Sequence, residues 1–229
     1  MKDAANKKHT AAQRAKMEKS LGVDGLYVKK SGGGAVDDVE AILAQVGKEV
    51  CACKKCVLHQ EANKGVPGAG NPRAELVFVG EGPGADEDKQ GLPFVGRAGK
   101  LLDKIIAAMG LMREEIFIAN VVKHRPPGNR TPTKDEIAAC QPFLWAQLSA
   151  IRPKVICTLG APASQTLLES EETIGKLRGK FYPLPEIPDI MVMPTYHPAY
   201  LLRNPAEKTK VWSDVQKIME FLGKPLPKK

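Results

Sequence analysis

No apolar run in these 229 residues approaches the roughly 20 that a membrane-spanning helix requires; the longest are strand-sized. The first residues also lack the apolar core of a secretory signal peptide, so a cytoplasmic protein without membrane contact is expected. Five cysteines without an export signal argue against a disulfide framework and leave reduced thiols, metal ligands or buried apolar cysteines. No internal repeat emerges. A full dinucleotide-binding fingerprint is also missing: Gly80-Glu81-Gly82-Pro83-Gly84 is rich in glycine, but Pro83 removes an N–H that a phosphate cradle would use.

What is present is a chain with 43% hydrophobic residues, long enough to bury a full core as one domain. Its formal net charge is +8, which points toward a polyanionic partner without naming one. Residues 1–34 carry eight Lys or Arg against three acidic residues, so +5 of the excess lies there. This stretch, ending in Ser31-Gly32-Gly33-Gly34, is expected to be a basic flexible arm and linker, with a short helix possible from Ala11 to Leu21. Residues 35–223 form the expected folded domain, and 224–229 a frayed tail.

Within that domain, short β-rich runs alternate with helical patterns. Glu75 to Val79 precedes Ala98 to Met109, and Ile116 to Val122 precedes Lys134 to Ala150. Lys154 to Leu159 then leads to Ala161 to Leu168, and Ile190 to Pro194 to Lys208 to Leu222. Four strand–helix units predict an α/β fold, a three-layer α-β-α sandwich around a four-stranded, mostly parallel central sheet. A capped helix near Asp37-Asp38-Val39-Glu40 should lead into the cysteine cluster.

Chemistry is expected at the carboxyl ends of parallel strands, and two polar turns sit there: Gly80 to Gly84, and His197-Pro198-Ala199-Tyr200-Leu201-Leu202. Asp86-Glu87-Asp88 follows the first turn, either as a solvated helix start or as an acidic cluster that orients a water or a developing cation. Phe94, within Gly91-Leu92-Pro93-Phe94-Val95-Gly96, is a core residue or a stacking platform for a flat ligand. Asn120 is an amide in an apolar strand, hence a hydrogen-bond hub or a reader of an amide-like edge.

Taken in order with Ala119-Asn120-Val121-Val122-Lys123, Arg125-Pro126-Pro127 and Arg203-Asn204-Pro205, these motifs resemble the family-4 uracil-DNA glycosylases, the iron-sulfur branch of the uracil glycosylase superfamily. The resemblance runs from about Cys53 to Leu222. It implies a base excision repair enzyme, expected to be monomeric, that flips uracil out of DNA and hydrolyses its N-glycosidic bond, leaving an abasic site. Gly82, Phe94 and Asn120 would surround the uracil, with Phe94 stacking and Asn120 reading N3–H and O4. His197, as a neutral imidazole, would donate toward O2. Glu81 and Glu87 would serve the sugar side, their division of labour left open, because the turn has Gly82 where the best-known uracil glycosylases have an aspartate. Leu201 would wedge into the gap left by the flipped nucleotide, or else pack in the core. Arg203, with Lys123, Arg125 and Arg130, would contact phosphates.

The same resemblance implies a 4Fe-4S cluster on Cys53, Cys56, His124 and Cys140. The family usually has a cysteine where this chain has His124, sixteen residues before Cys140. Cys51 as fourth ligand, zinc in a Cys₃His site, or no metal at all are the competing assignments. Cys157 reads as a buried strand residue. Lys123-His124 is also shared with the X-type branch, which crosslinks to uracil-DNA. That branch has a long basic insertion with a capturing histidine, whereas Pro126 to Pro132 here is short and lacks one. Turnover is therefore expected, with a uracil-DNA binding or crosslinking protein of little turnover as the alternative.

Overall fold

The structure is a computed structural model and describes residues 38–225. The basic arm expected at 1–34 and the end of the tail, from 226, lie outside the described residues.

Helix α1 (Asp38–Cys51) leads into the cysteine segment. The sheet then begins with the two-residue β1 (Ala69–Gly70), followed by β2 (Leu76–Gly80), whose five residues are all buried. Helices α2 (Ala85–Gln90) and α3 (Arg97–Ala108) follow, then β3 (Phe117–Asn120), α4 (Lys134–Ile151), β4 (Val155–Leu159) and α5 (Ala161–Leu168). The chain closes through α6 (Ile174–Leu177), β5 (Tyr182–Leu184), β6 (Ile187–Thr195), α7 (Pro198–Arg203) and α8 (Lys208–Phe221). Among the described residues no helix is long and apolar enough to cross a membrane.

The strand order is β1-β3-β2-β4-β6-β5. Its four inner strands are parallel, and these are the four that the sequence periodicity predicts. Among the described residues the sheet has six strands rather than four because β1 and β5 add antiparallel edges. Both are too short to show an alternating pattern. Gly70, at φ 131°, and Pro183 mark them as irregular edges.

Central strands buried on both faces should be largely apolar, and β2 and β4 are; the polar Thr158 of β4 pairs its hydroxyl with that of Ser164 at 2.8 Å. Leu76, Phe78, Ile118 and Cys157 point into a core shared with Leu102 and Ile106 of α3 and Val211, Val215 and Ile218 of α8. Val77, Val79 and Ile156, in the alternate register, are buried outside that cluster, on the face where α5 packs on β2 and β4. Helices α1 and α4 pack against each other. Helix α4 starts with a capping box: the Thr133 hydroxyl accepts from Glu136 N–H at 3.3 Å, and the Glu136 carboxylate accepts from Thr133 N–H at 2.8 Å. Arg130 clamps the same carboxylate at 2.6 and 2.8 Å and holds it down to about 2.

The carboxyl end of β6 is fixed by a buried charge network. Asp214 of α8 accepts from the Thr195 hydroxyl at 2.7 Å and from Arg178 at 2.5 and 3.1 Å, while Arg178 also donates to Lys210 O at 2.7 Å. Burial pushes the Asp214 carboxyl above the usual range, with Thr195 and Arg178 pulling it back. Arg178→Met should therefore lower stability by about 3 kcal/mol by stranding that carboxyl. A carboxyl raised in the folded state gives stability at low pH that is lost as pH rises through its folded value, so urea unfolding should show a larger deficit at about pH 8 than at about pH 5.

Candidate active site

Four parallel strands end on one edge of the sheet, so the segments after Gly80, Asn120, Leu159 and Thr195 gather there. The register sets Gly80 opposite Asn120 and Leu159 opposite Thr195. A cavity of about 430 Å³ opens at this edge. Glu81, Gly82, Glu87, Phe94, Asn120, His197 and Arg203 all line it, joined by Pro126, Asn129, Arg130 and Tyr200. Seven of the eight catalytic, uracil-binding and DNA-binding positions predicted from the sequence are thus brought to one place.

Gly80 is the floor. A Cβ there would lie 2.5 Å from Asn120 Oδ1 and 2.6 Å from the Phe94 ring, so only glycine lets both side chains meet at this point. Asn120 is 1% exposed, and its Oδ1 has no hydrogen-bond partner among the described residues. A buried acceptor of this kind costs free energy unless something outside the protein supplies a donor.

Phe94 occupies a left-handed backbone conformation, φ 51°, that is uncommon for a bulky residue. Its neighbours enforce it from both sides. Glu87 accepts from Val95 N–H at 2.8 Å and Gly96 N–H at 2.9 Å through Oε1, and from Gly84 N–H at 3.1 Å through Oε2. Arg113 donates to the carbonyls of Pro93 and of Phe94, the latter at 3.1 Å, and pairs with Asp103 at 2.5 Å. Gly99 lets α3 pass against the Phe94 carbonyl, where a Cβ would collide at 1.9 Å. The ring is held 5.6 Å from that of His197, tilted by 34°.

His197 caps α7. Its Nδ1 accepts from Ala199 N–H at 3.1 Å, which places the proton of a neutral ring on Nε2. Enclosure by protein, reinforced by the charge of Arg203 and opposed by Glu87, lowers the imidazole to about 4. The ring is therefore a neutral donor at physiological pH. Glu81 is half-buried, and burial raises its carboxyl, with a hydrogen bond from Thr131 acting the other way. Of the two carboxylates, Glu87 is committed to three backbone donors and Glu81 faces the cavity with far fewer.

A family model described as the Uracil DNA glycosylase superfamily matches residues 67–216. The chain belongs to that superfamily. Its relatives place it in the type-4 group. The Type-4 uracil-DNA glycosylase of Sulfurisphaera tokodaii is 48% identical over 185 residues, covering 78% of this chain and 84% of that protein. That of Archaeoglobus fulgidus is 45% identical over 190 residues, covering 81% and 96%. That of Thermotoga maritima is 45% identical over 188 residues, covering 81% and 97%.

One predicted site residue of this superfamily member is misplaced. Leu201 is fully buried in the core with Val211 and Val215, so it cannot serve as a wedge into DNA. Helical geometry explains this: Tyr200 and Arg203, three apart, share the cavity face of α7, and Leu201 is turned away from it. The exposed leucine of α7 is Leu202, at 46%. Asp88, taken as part of a solvated helix start, is buried and accepts from Asn63 N–H and Nδ2–H at 2.8 and 2.5 Å. Lys123 is likewise no phosphate contact: it is wholly buried, donating to Gln147 Oε1 at 2.8 Å and to Asn120 O at 3.0 Å. Tyr200 and Arg113 escaped the sequence reading. Spacing from His197 could have found Tyr200, but nothing in the sequence marks Arg113, whose role depends on tertiary contact.

Away from the cavity, Cys53, Cys56 and Cys140 are neighbours. The Cys56 and Cys140 thiols are hydrogen-bonded to each other, both interact electrostatically with Cys53, and burial pushes Cys140 up to about 11. His124 is buried beside His59 and Asp88, and burial lowers its imidazole. Cys51 is exposed and Cys157 is buried in β4. Among the described residues no three or more His, Cys, Asp or Glu side chains form a metal-holding group. As a donor set, three gathered thiols with a neutral imidazole on the adjoining segment still fit a sulfur-rich metal group.

Gly80→Ala should move the Phe94 ring and the Asn120 amide apart while leaving the fold intact. Displacement on the ångström scale costs about 100-fold in rate, so kcat/KM on the cognate substrate should fall by about that factor. The melting temperature, followed by circular dichroism, should fall by only the few degrees that about 1–3 kcal/mol of overpacking costs, with a single cooperative transition retained.

Proposed function

We propose that this chain excises uracil from DNA, hydrolysing the bond between uracil N1 and deoxyribose C1′ and leaving an abasic site. The observation that carries the reading is Asn120 Oδ1, buried and without a partner among the described residues, beside an immobilised aromatic ring. A uracil stacked on Phe94 offers N3–H to that oxygen, while its O4 accepts from the Asn120 amide N–H. Cytosine presents the opposite pattern, and the same amide would then stay unpaired in a buried site.

As the N1–C1′ bond breaks, its electron pair goes to the base and C1′ becomes cationic. His197 donates Nε2–H to O2 of the departing uracil without having to be protonated itself. Glu81 stands on the sugar side and takes a proton from the water that attacks C1′. Its raised carboxyl suits a base operating near neutral pH better than a fully solvated one. Glu87 holds the Gly84 turn and the Phe94 loop together and adds negative field. Arg203 and Arg130, which line the cavity, contact phosphates, and Leu202 is the leucine of α7 free to approach DNA.

Cys53, Cys56 and Cys140, with His124 as fourth ligand, are proposed to hold a 4Fe-4S cluster. When bound, the cluster supplies thiolate–iron bonds that tie the segment after α1 to α4, and a redox-active centre. The imidazole of His124, neutral because of its burial, is already in the form that ligates iron.

A uracil-containing oligonucleotide tests the activity. Alkali-labile product in many-fold excess over protein is expected; a single stoichiometric, denaturation-resistant adduct would instead identify the crosslinking alternative. Asn120→Ala and His197→Ala should each lower kcat by about 100-fold or more while DNA affinity changes far less. Equal losses in rate and affinity would reduce both residues to a role in folding. Protein purified without oxygen should be brown, with broad absorbance near about 400 nm from thiolate-bound iron-sulfur. His124→Ala should bleach it or lower its iron content, and a colourless protein with one zinc per chain would refute the iron assignment.

A further inference from the structure

A second cavity, of about 410 Å³, lies on the other side of His197. It shares Glu81, His197 and Tyr200 with the first, so the two are separated by little more than those side chains. Its remaining wall is apolar or backbone: Leu159 at the end of β4, Pro162 at the start of α5, Ile174 and Gly175 of α6, and Tyr196. The volume falls within the roughly 300–1,000 Å³ typical of small-molecule sites.

Two features define what fits there. The first is a pair of tyrosines, Tyr196 and Tyr200, with ring centroids 5.0 Å apart and planes tilted by 39°. Tyr196 is further fixed by the Arg178 guanidinium, 5.5 Å from its ring centre, and Arg178 is itself locked to Asp214. The second is charge. Among the described residues no lysine or arginine lines this cavity, whereas Arg130 and Arg203 line the first. A phosphate would find no cation here, and the Glu81 carboxylate would repel it. A neutral, flat, largely apolar group would find aromatic and aliphatic walls.

We propose that this cavity binds the nucleobase next to the flipped uracil in the same strand, stacked on Tyr196 and Tyr200. The inference rests on the reading of the first cavity as the uracil site, because continuity with that site is what selects a neighbouring base over other flat ligands. Stacking on tyrosine tolerates any base, so the subsite adds binding energy without sequence preference. It also draws the strand past both sides of His197, with one base in each cavity and the sugar of the deoxyuridine nucleotide between them, beside Glu81.

Single-turnover excision from short single-stranded oligonucleotides provides the test. The uracil is flanked on each side in turn by thymine or by a tetrahydrofuran abasic analogue. Removing the base on one flank should slow excision by about tenfold, and removing it on the other should have little effect. Gly175 supplies the control, since a Cβ there meets nothing within 4 Å and its backbone is not in the left-handed region. Gly175→Trp fills the cavity and should bring the ratio between flanked and unflanked substrates to about one. A general loss of stability would slow both substrates and keep the ratio.

Equal rates at both flanks, with excision intact, would overturn the subsite and leave the uracil reading standing. A flank effect that survives Gly175→Trp would also overturn it, by placing the base elsewhere. No excision from any substrate would defeat the uracil reading itself, and the subsite with it.

Discussion

The parallel pairing of β2 with β3 is the constraint on which the site depends. It sets Gly80 level with Asn120 at the carboxyl edge of the sheet. Because Gly80 has no side chain, the Asn120 amide and the Phe94 ring can close over the strand end. Everything else at the site elaborates that contact. Glu87 and Arg113 hold the Phe94 loop from two directions, and the Asp214 network fixes the end of β6, from which His197 extends. Rigidity of this kind is what discrimination by an amide requires. A hydrogen-bond pattern can reject a wrong base only if the reader cannot rotate to accommodate it.

Electrostatics follow from the same packing. The Ala199 N–H fixes which nitrogen of His197 carries the proton, and enclosure keeps the ring uncharged. The two carboxylates diverge for a related reason. Glu87, surrounded by backbone donors, is a structural clasp, whereas Glu81 sits at the boundary of two cavities with its charge largely uncompensated. The sequence sets Glu81 in the turn after β2 and Glu87 at the start of the helix that follows, and only the backbone N–H groups around Glu87 separate their roles.

The four inner strands and the long helices were legible because apolar period and buried parallel strands leave a strong local signal. The edge strands were not: β1 and β5 contain two and three residues, and their pairing depends on a neighbour the local pattern does not reveal. Most cavity residues were legible through motif order. Leu201 was misassigned although helical spacing contained the correction, since residues two apart cannot both face DNA with Arg203. Lys123 was misread for a different reason. A lysine is ordinarily a surface residue, and the three oxygens that hold its ammonium come from β3, α4 and the Pro67 backbone, far apart in sequence. The Arg113 clamp was invisible for the same reason, as its three partners lie ten, nineteen and twenty residues away.

The bare floor at Gly80 also limits how such a pocket can evolve. Any side chain there strikes both the reading amide and the stacking ring, so no single substitution at that position can enlarge or reshape the chamber gradually. Lineages in search of a different base must work through the walls, at position 120 or along the clasped loop carrying Phe94. The loop is secured by several independent contacts, which leaves the amide as the most accessible point of change.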